Sequence, residues 1–151
     1  MIIFFGIFKI PKSWSCFIVL QNEEILVSNE QLTSDNGKYV LKMQTDGNVV
    51  LYKGSEHLWA SNTNGEGKGP YELVMQSDDH LVVYDADSKV IWYSGVYIGK
   101  DGYQWAKGAY AVIQDDGNFV VYDGNNKVMW DSKTYGGEKG EYGSGRRHKL
   151  N

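Results

Sequence analysis

One ten-residue pattern occurs three times in this chain of 151 residues, and it constrains the fold more than any other feature. The three stretches read MQTDGNVVLY, MQSDDHLVVY and IQDDGNFVVY. Their glutamines, Gln44, Gln76 and Gln114, are 32 and 38 residues apart. Each stretch follows a short apolar run and precedes a polar turn and a Trp-x-Ser sequence. A repeat of roughly this length predicts three copies of one structural unit.

The repeated unit is predicted to be built from β-strands. Its apolar runs are short, rich in β-branched residues and bounded by Gly, Asp and Asn, which is typical of strands and hairpins. The 18 Gly against 2 Pro, and the 11 Tyr, also favour strands joined by tight turns. This excludes helical solenoids, and propellers need more than three blades. Two threefold β architectures remain, the β-trefoil and the β-prism.

Alternate residues of a strand share one face of the sheet. The inner face is apolar in all three repeats and is predicted to form the core: Leu41, Met43, Val49 and Leu51; Leu73, Met75, Leu81 and Val83; Ile113, Phe119 and Val121. The tryptophans of the Trp-x-Ser sequences, Trp59, Trp92 and Trp130, are predicted to join this core around a shared axis.

The five outward residues of each repeat form a mostly polar set. We call these sets motif 1 (Gln44, Asp46, Asn48, Val50, Tyr52), motif 2 (Gln76, Asp78, His80, Val82, Tyr84) and motif 3 (Gln114, Asp116, Asn118, Val120, Tyr122). On one straight strand each set would extend over about 26 Å, at about 3.3 Å per residue. Asp-Gly at 46–47 and 116–117 favours a hairpin turn. We therefore predict that each motif folds back and that its polar groups converge on a small concavity.

The side chains of a motif suit a neutral polyol. An ionised Asp accepts hydrogen bonds from hydroxyl groups, and Asn and Gln both donate and accept them. One carboxylate per motif is too few for calcium, which takes six to eight oxygen ligands, so no metal or other cofactor is predicted. The same residue types are common in turns and strands that bind no ligand, so one copy alone could be purely structural. Their recurrence in the same order in three copies favours a binding role.

The pattern Gln-x-Asp-x-Asn-x-Val-x-Tyr resembles that of the bulb-type (monocot) mannose-binding lectin family. Motifs 1 and 3 match it completely, and the resemblance extends over residues 22–133. It implies an all-β fold, a type II β-prism of three four-stranded antiparallel sheets with pseudo-threefold symmetry. It also implies one mannose site per sheet, with Asp and Asn facing the 2-hydroxyl, Gln the 3-hydroxyl and Tyr the 4-hydroxyl. Many family members dimerise by exchanging C-terminal strands, so a homodimer of this kind is expected.

The chain departs from the family pattern at two places. Motif 2 has His80 where Asn is expected, and a neutral imidazole nitrogen either donates or accepts but does not do both. We predict that motif 2 binds sugar weakly or not at all, and that any residual binding falls as histidine protonates near about pH 6.5. Plant members usually contain a disulfide, whereas Cys16 is the single cysteine here. This favours a reducing compartment such as the cytoplasm.

The sequence predicts three segments, with a hydrophobic N-terminal segment at 1–21, a lectin domain at 22–133 and a mobile, Gly-rich basic tail at 134–151. Lys9, Pro11 and Lys12 interrupt the apolar run of residues 1–20, which makes it a poor membrane span. It is also an irregular signal peptide, because its charges lie in the middle. Residues 1–20 could therefore pack on the domain, extend outside it or act as a secretion signal. Secretion is the alternative localisation.

Charge and residue content narrow the function classes. A net charge of −4 gives no basic surface for nucleic acid. A glycosidase needs paired carboxylates with distinct roles, and each motif supplies one; His57, His80 and His148 lie in unrelated contexts. The sequence therefore predicts a lectin, not an enzyme, that binds mannose-containing glycans. A sugar-inactive protein-binding or structural module on the same fold is the alternative.

Overall fold

The computed structural model describes residues 18–95 and 107–142 of the protein. Cys16, His148, most of the N-terminal segment and the last part of the C-terminal tail lie outside these ranges. Within them the strands are β1 (Val19–Leu20), β2 (Ile25–Val27), β3 (Gln31–Thr33), β4 (Tyr39–Met43), β5 (Val49–Lys53), β6 (Glu56–Ala60), β7 (Glu72–Met75), β8 (Leu81–Tyr84), β9 (Val90–Tyr93), β10 (Tyr110–Ile113), β11 (Phe119–Tyr122) and β12 (Val128–Asp131).

The strands of the described residues form three four-stranded antiparallel sheets. Sheet 1 has the order β3-β4-β5-β6, sheet 2 the order β2-β7-β8-β9, and sheet 3 the order β1-β10-β11-β12. Motifs 1, 2 and 3 lie on sheets 1, 2 and 3, respectively. The predicted β-prism is thereby confirmed, and the β-trefoil is excluded.

The first strand of each sheet comes from one short stretch, residues 19–33, that precedes all three motifs. β1, β2 and β3 follow one another along the chain, yet each pairs with a different repeat, through β10, β7 and β4. This stretch therefore joins the three sheets. β1 belongs to sheet 3, although the sequence places residues 19–20 in the N-terminal segment; the predicted domain boundaries stay predictions.

The inner faces of the sheets form one core, as predicted. The inward residues of β4, β5, β7, β8, β10 and β11 are buried, and Trp59 and Trp92 are completely so. Trp59, Trp92 and Trp130 meet edge to face around the centre, with ring centroids 5.3–5.6 Å apart. Such aromatic pairs contribute about 0.5–1.5 kcal/mol beyond the area they bury, so this triangle helps to hold the three sheets together.

A bulge lies at the same place in each sheet, beside the tyrosine of the motif. In sheet 1, Leu51 pairs with Trp59 while Tyr52 pairs with His57, which leaves Leu58 as the extra residue. Leu58 and Trp59 are both fully buried, so two consecutive residues pack inward. Sheets 2 and 3 have the same shift, at Val83/Tyr84 and at Val121/Tyr122. Bulges bend a strand and re-aim side chains.

Residues 134–142, the first half of the predicted mobile tail, contact sheet 1. The backbone N–H of Gly140 donates to the carbonyl of Leu58 (2.8 Å), and Tyr142 Oη donates to the carbonyl of His57 (2.7 Å). Thr134 is fully buried. The tail therefore begins as part of the folded domain, and mobility stays a prediction for the remainder. No helix in the described ranges is long and apolar enough to cross a membrane.

Candidate functional site

Each motif folds back through a tight turn between two neighbouring strands. In motif 1, β4 ends at Met43, the N–H of Gln44 donates to the carbonyl of Asn48 (2.9 Å), and β5 begins at Val49. Gly47 closes the turn with φ of 90°, a backbone conformation that favours glycine. The corresponding bonds in motifs 2 and 3 also measure 2.9 Å. The predicted bend is therefore present in all three motifs.

The bend brings the first and last residues of each motif into contact. In motif 3, Gln114 Nε2 donates to Tyr122 Oη at 2.6 Å. Gln44 and Tyr52 are bonded in the same way in motif 1, and so are Gln76 and Tyr84 in motif 2. Within residues 18–95 and 107–142, the amide oxygen of the glutamine and the hydroxyl hydrogen of the tyrosine have no partner. Each pair therefore offers one acceptor and one donor side by side.

The aspartate of each motif is fixed at the turn by one of its two oxygens. Asp46 Oδ1 accepts the backbone N–H of Asn48 (3.0 Å), and Asp116 Oδ1 accepts that of Asn118 (2.9 Å). Both side chains are exposed. In motifs 1 and 3 the other carboxylate oxygen has no partner within the described ranges. An ionised carboxylate oxygen with no partner is a strong hydrogen-bond acceptor for a ligand.

The asparagine of motif 1 is anchored by its carbonyl oxygen. Asn48 Oδ1 accepts a bond from Ser61 Oγ (3.0 Å) and one from the N–H of Thr63 (3.2 Å). Thr63 Oγ1 in turn donates to the carbonyl of Gly47 (2.8 Å). Because the oxygen is occupied, the NH2 group is the part of the Asn48 side chain left to contact a ligand, and it can only donate. This is narrower than the dual role expected from sequence.

Motif 3 repeats this anchor with Ser132 and Thr134. Asn118 Oδ1 accepts from Ser132 Oγ (3.2 Å) and from the N–H of Thr134 (3.1 Å), and Thr134 Oγ1 donates to the carbonyl of Gly117 (2.7 Å). The two threonines escaped the sequence analysis. Their signal is a Trp-x-Ser-x-Thr spacing after motifs 1 and 3, which becomes Trp-x-Ser-x-Val after motif 2.

Motif 2 differs in the state of its aspartate. Asp78 Oδ1 accepts the N–H of His80 (3.2 Å), as in the other motifs, but Asp78 Oδ2 lies 3.2 Å from His80 Nδ1. The ring of His80 also packs edge to face against Tyr93, with centroids 5.9 Å apart. The replacement of asparagine therefore removes an amide donor and also engages the carboxylate oxygen that is available in motifs 1 and 3.

The turn of motif 2 contains a buried carboxylate. Asp79 occupies the position of Gly47 and Gly117, with φ of 65°, and its side chain is completely buried. Neither of its carboxylate oxygens has a hydrogen-bond partner in the part of the chain that the structure describes. Burial raises the pKa of Asp79, and the nearby Asp123 and Asp78 raise it further, while His80 opposes them.

The outer rims of the motifs carry the remaining differences. The valine of each motif is nearly buried and forms the floor between two cross-strand neighbours. These neighbours are Lys42 and Ala60 in motif 1, Val74 and Tyr93 in motif 2, and Val112 and Asp131 in motif 3.

No group of three or more metal-ligating side chains that could hold a metal ion occurs within residues 18–95 and 107–142.

Comparison with solved structures identifies the fold family. Monomeric monocot mannose-binding lectins from Gastrodia elata match with a TM-score of 0.67 and 34% identity, over 78% of this chain and 98% of theirs. This chain belongs to the bulb-type (monocot) mannose-binding lectin family. The snowdrop (Galanthus nivalis) mannose-specific agglutinin, solved with methyl-α-D-mannoside, matches this lectin-family chain with a TM-score of 0.60 and 34% identity, over 78% of this chain and 97% of its own.

Sequence comparison alone gives a shorter match. A mannose-specific lectin from Narcissus pseudonarcissus is 45% identical over 47 residues, or 28% of this chain. The match spans 43% of that protein, less than half of its length. No family model matches the chain. These relatives are lectins, which bind carbohydrate without transforming it, and they support the prediction that the family member described here is not an enzyme.

Proposed function

We propose that this protein is a lectin that binds mannose or mannose-rich glycans through motifs 1 and 3, and that motif 2 binds more weakly. The observation that carries the proposal is the arrangement of polar atoms in the two complete motifs. In each, one aspartate oxygen and the asparagine NH2 group have open hydrogen-bonding capacity, whereas their other polar atoms are bonded within the protein. The relatives named above support mannose as the sugar.

The polar groups of motifs 1 and 3 are held in place without a ligand. The Ser-Thr anchor fixes the asparagine, the turn fixes the aspartate, and the Gln–Tyr bond fixes the other end. Side chains that are already ordered lose little rotamer freedom when a ligand binds. The resulting row of acceptor and donor groups is complementary to adjacent hydroxyls on one edge of a hexose, and the valine floor suits its C–H groups.

The fold separates the motifs onto different sheets of one body. A shallow site of this kind binds a single sugar weakly, but two or three sites on one domain can engage a glycan-coated surface together. Such multivalency raises avidity by roughly 10² to 10⁴ without any new contact. In the described structure β12 pairs with β11 of the same chain, and dimerisation by strand exchange stays a prediction.

Removing the free aspartate oxygens of motifs 1 and 3 should weaken sugar binding strongly. In Asp46→Asn plus Asp116→Asn, Oδ1 still accepts the turn N–H, but an amide donor replaces the free acceptor. Hydrogen bonds to charged groups contribute about 1.5–3 kcal/mol, so each site should lose roughly tenfold to a hundredfold in affinity. Calorimetric titration with methyl α-mannoside and retention on mannose-agarose would measure the loss.

Asp35→Asn plus Asp87→Asn is the matched control for charge and substitution type. Both aspartates are exposed and lie outside the motifs, so this variant should bind like the wild type. Undiminished retention of the Asp46/Asp116 variant would overturn the site assignment. A folded wild type that binds no mannosyl ligand would overturn the proposed function in favour of the sugar-inactive module.

Restoring the missing amide should strengthen motif 2. His80→Asn removes the imidazole that engages Asp78 Oδ2 and supplies an NH2 donor at the same position. With Asp46→Asn and Asp116→Asn in the background, we expect at least a threefold gain in affinity for methyl α-mannoside, measured by NMR titration, because one hydrogen bond contributes about 1 kcal/mol. His57→Asn in the same background is the control.

A further inference from the structure

Motifs 1 and 3 contain the same five residue types, but charged groups of opposite sign flank them. Val50, the floor of motif 1, pairs with Lys42 on β4 and with Ala60 on β6. Val120, the floor of motif 3, pairs with Val112 and with Asp131 in the same two directions. Cross-strand neighbours have their Cβ atoms about 4.5–5.5 Å apart, so these side chains border the concavity.

Asp131 is attached directly to motif 3. Asn118 Nδ2 donates to Asp131 Oδ2 at 2.9 Å, so one hydrogen of the amide is held and the other stays available. The carboxylate therefore adds a negative charge to the one on Asp116, at the side of the pocket where the asparagine donates. Ala60 has no polar side chain with which to do this in motif 1.

Lys42 brings the opposite charge to motif 1. Its neighbours along β4, Leu41 and Met43, are fully buried on the inner face, which places Lys42 on the outer face with the motif. Its side chain is half-buried and forms no ion pair with any described residue. With Asp46 the rim of motif 1 is close to neutral, whereas Asp116 and Asp131 give the rim of motif 3 two negative charges.

We propose that the two complete motifs select different glycans: motif 1 accepts mannosyl ligands with an acidic group beside the bound sugar, and motif 3 takes neutral ones. The inference rests on the proposed function, because it assigns a ligand class to each of its sites. A phosphate or carboxylate on the ligand meets an unpaired ammonium group at motif 1 and two carboxylates at motif 3. At such exposed sites a charge difference of this kind changes affinity by roughly threefold to tenfold at low salt.

Each complete motif can be measured without the other. Asp116→Asn leaves motif 1 as the complete site, and Asp46→Asn leaves motif 3. Each variant is titrated with methyl α-mannoside, mannose 1-phosphate, mannose 6-phosphate and mannuronate, so that the position and the kind of acidic group are both varied. We expect the affinity for the best acidic ligand, relative to methyl α-mannoside, to be at least threefold higher at motif 1. The difference should shrink at 1 M salt, where the Debye length is about 3 Å.

Reciprocal substitutions test the two flanking residues. Lys42→Val in the motif 1 background should abolish the preference for acidic ligands. Val112→Lys together with Asp131→Ala in the motif 3 background should create it, because Val112 occupies the position of Lys42. Lys38→Val, on an exposed turn of sheet 1, is the control and should leave the ratio unchanged.

The outcomes separate this inference from the proposed function. Loss of methyl α-mannoside binding at both motifs would overturn the proposed function and this inference with it. Intact binding of methyl α-mannoside with equal acidic-to-neutral ratios at the two motifs would overturn this inference alone. So would a ratio at motif 1 that Lys42→Val leaves unchanged.

Discussion

Asp79→Asn is expected to stabilise the folded protein by about 1–3 kcal/mol at neutral pH, because it replaces a buried, unpaired charge by a neutral polar group, which costs less to bury. Asp79 is completely buried in the turn of motif 2, and its carboxylate oxygens have no partner in the described part of the chain. Asparagine has nearly the same shape and carries no charge. It also tolerates the positive φ of 65° at this position.

The stabilisation by Asp79→Asn should depend on pH, in a direction that follows from the raised pKa of Asp79. Burial first, and then Asp123 and Asp78, raise the pKa of Asp79 in the folded state, so the folded protein binds this proton more tightly than the unfolded chain does. The resulting stabilisation is complete below the ordinary aspartate pKa of about 3.9 and is lost as the pH rises through the folded-state pKa. The advantage of Asp79→Asn should therefore be largest at pH 7 and vanish near about pH 3.5.

Asp85→Asn is the matched control, because it should have the opposite effect. Asp85 is also buried, but its carboxylate accepts backbone N–H bonds from Lys68, Asp87 and Lys89 at 2.9–3.2 Å. Burial alone would raise its pKa, but these bonds, helped by the charge of Lys89, outweigh burial and lower it. Asp85 therefore stabilises the fold above the ordinary aspartate pKa, and the stabilisation is lost as the pH falls through the folded-state pKa. Its replacement should destabilise the protein at pH 7.

Urea denaturation of the wild type and the two variants at pH 7 and at about pH 3.5 would measure these differences. Opposite signs at pH 7, with both effects diminished in acid, are the expected result. A loss of stability in Asp79→Asn at pH 7 would contradict the prediction, because it would mean that a cationic group pairs with the buried carboxylate.

The sequence predicted the features that depend on local periodicity. Alternation along each repeat correctly identified the core residues, such as Leu41 and Leu51, but the motif valines that it placed on the outer face, such as Val50, are buried as well. The Asp-Gly pair at 46–47 predicted the turn, because glycine supplies the positive φ that a tight bend requires. Three similar copies predicted the threefold arrangement and its central tryptophans.

Features that depend on contacts between distant residues were not predictable from the repeats alone. The anchor of Asn48 comes from Ser61 and Thr63, on the far side of two strands, and the edge strands β1 to β3 carry no part of the repeated pattern. The contact between Asp131 and Asn118 likewise needs the register of β11 with β12. The five motif residues are of the same types in motifs 1 and 3, so comparing the motifs does not reveal that Asp131 contacts only motif 3.

The second large effect concerns the turn glycines and the tyrosines packed against them. A Cβ atom added at Gly117 would lie 2.7 Å from Tyr39 Cε1, and one at Gly47 would lie 2.9 Å from the ring of Tyr71. In motif 2 the turn residue is Asp79 instead of glycine. Tyr39 and Tyr71 each lie five residues before the glutamine of their own repeat, and in the third repeat this position is occupied by Ala109. Ala109 is fully buried, and the pseudo-threefold symmetry implies that it lies opposite Asp79. We infer that the larger turn residue and the smaller facing residue compensate for each other.

Gly117→Asp should therefore destabilise the protein by roughly 3–5 kcal/mol, from overpacking against Tyr39 together with backbone strain at φ of 90°. Tyr39→Ala alone should cost a similar amount, about 3–5 kcal/mol, because it empties a buried ring position. The double variant Gly117→Asp with Tyr39→Ala should be more stable than the sum of the two effects predicts, by at least about 1–2 kcal/mol, since the new side chain fills the space that the ring leaves.

A double-mutant cycle measured by urea denaturation isolates this coupling from the cost of each substitution. Gly117→Asp with Tyr71→Ala is the control, because Tyr71 packs against Gly47 and not against Gly117, so the two effects should add. Additivity in the Tyr39 pair as well would contradict the inferred compensation between Asp79 and Ala109. Coupling confined to the Tyr39 pair would support it, because the size of the turn residue would then depend on the size of the side chain packed against it.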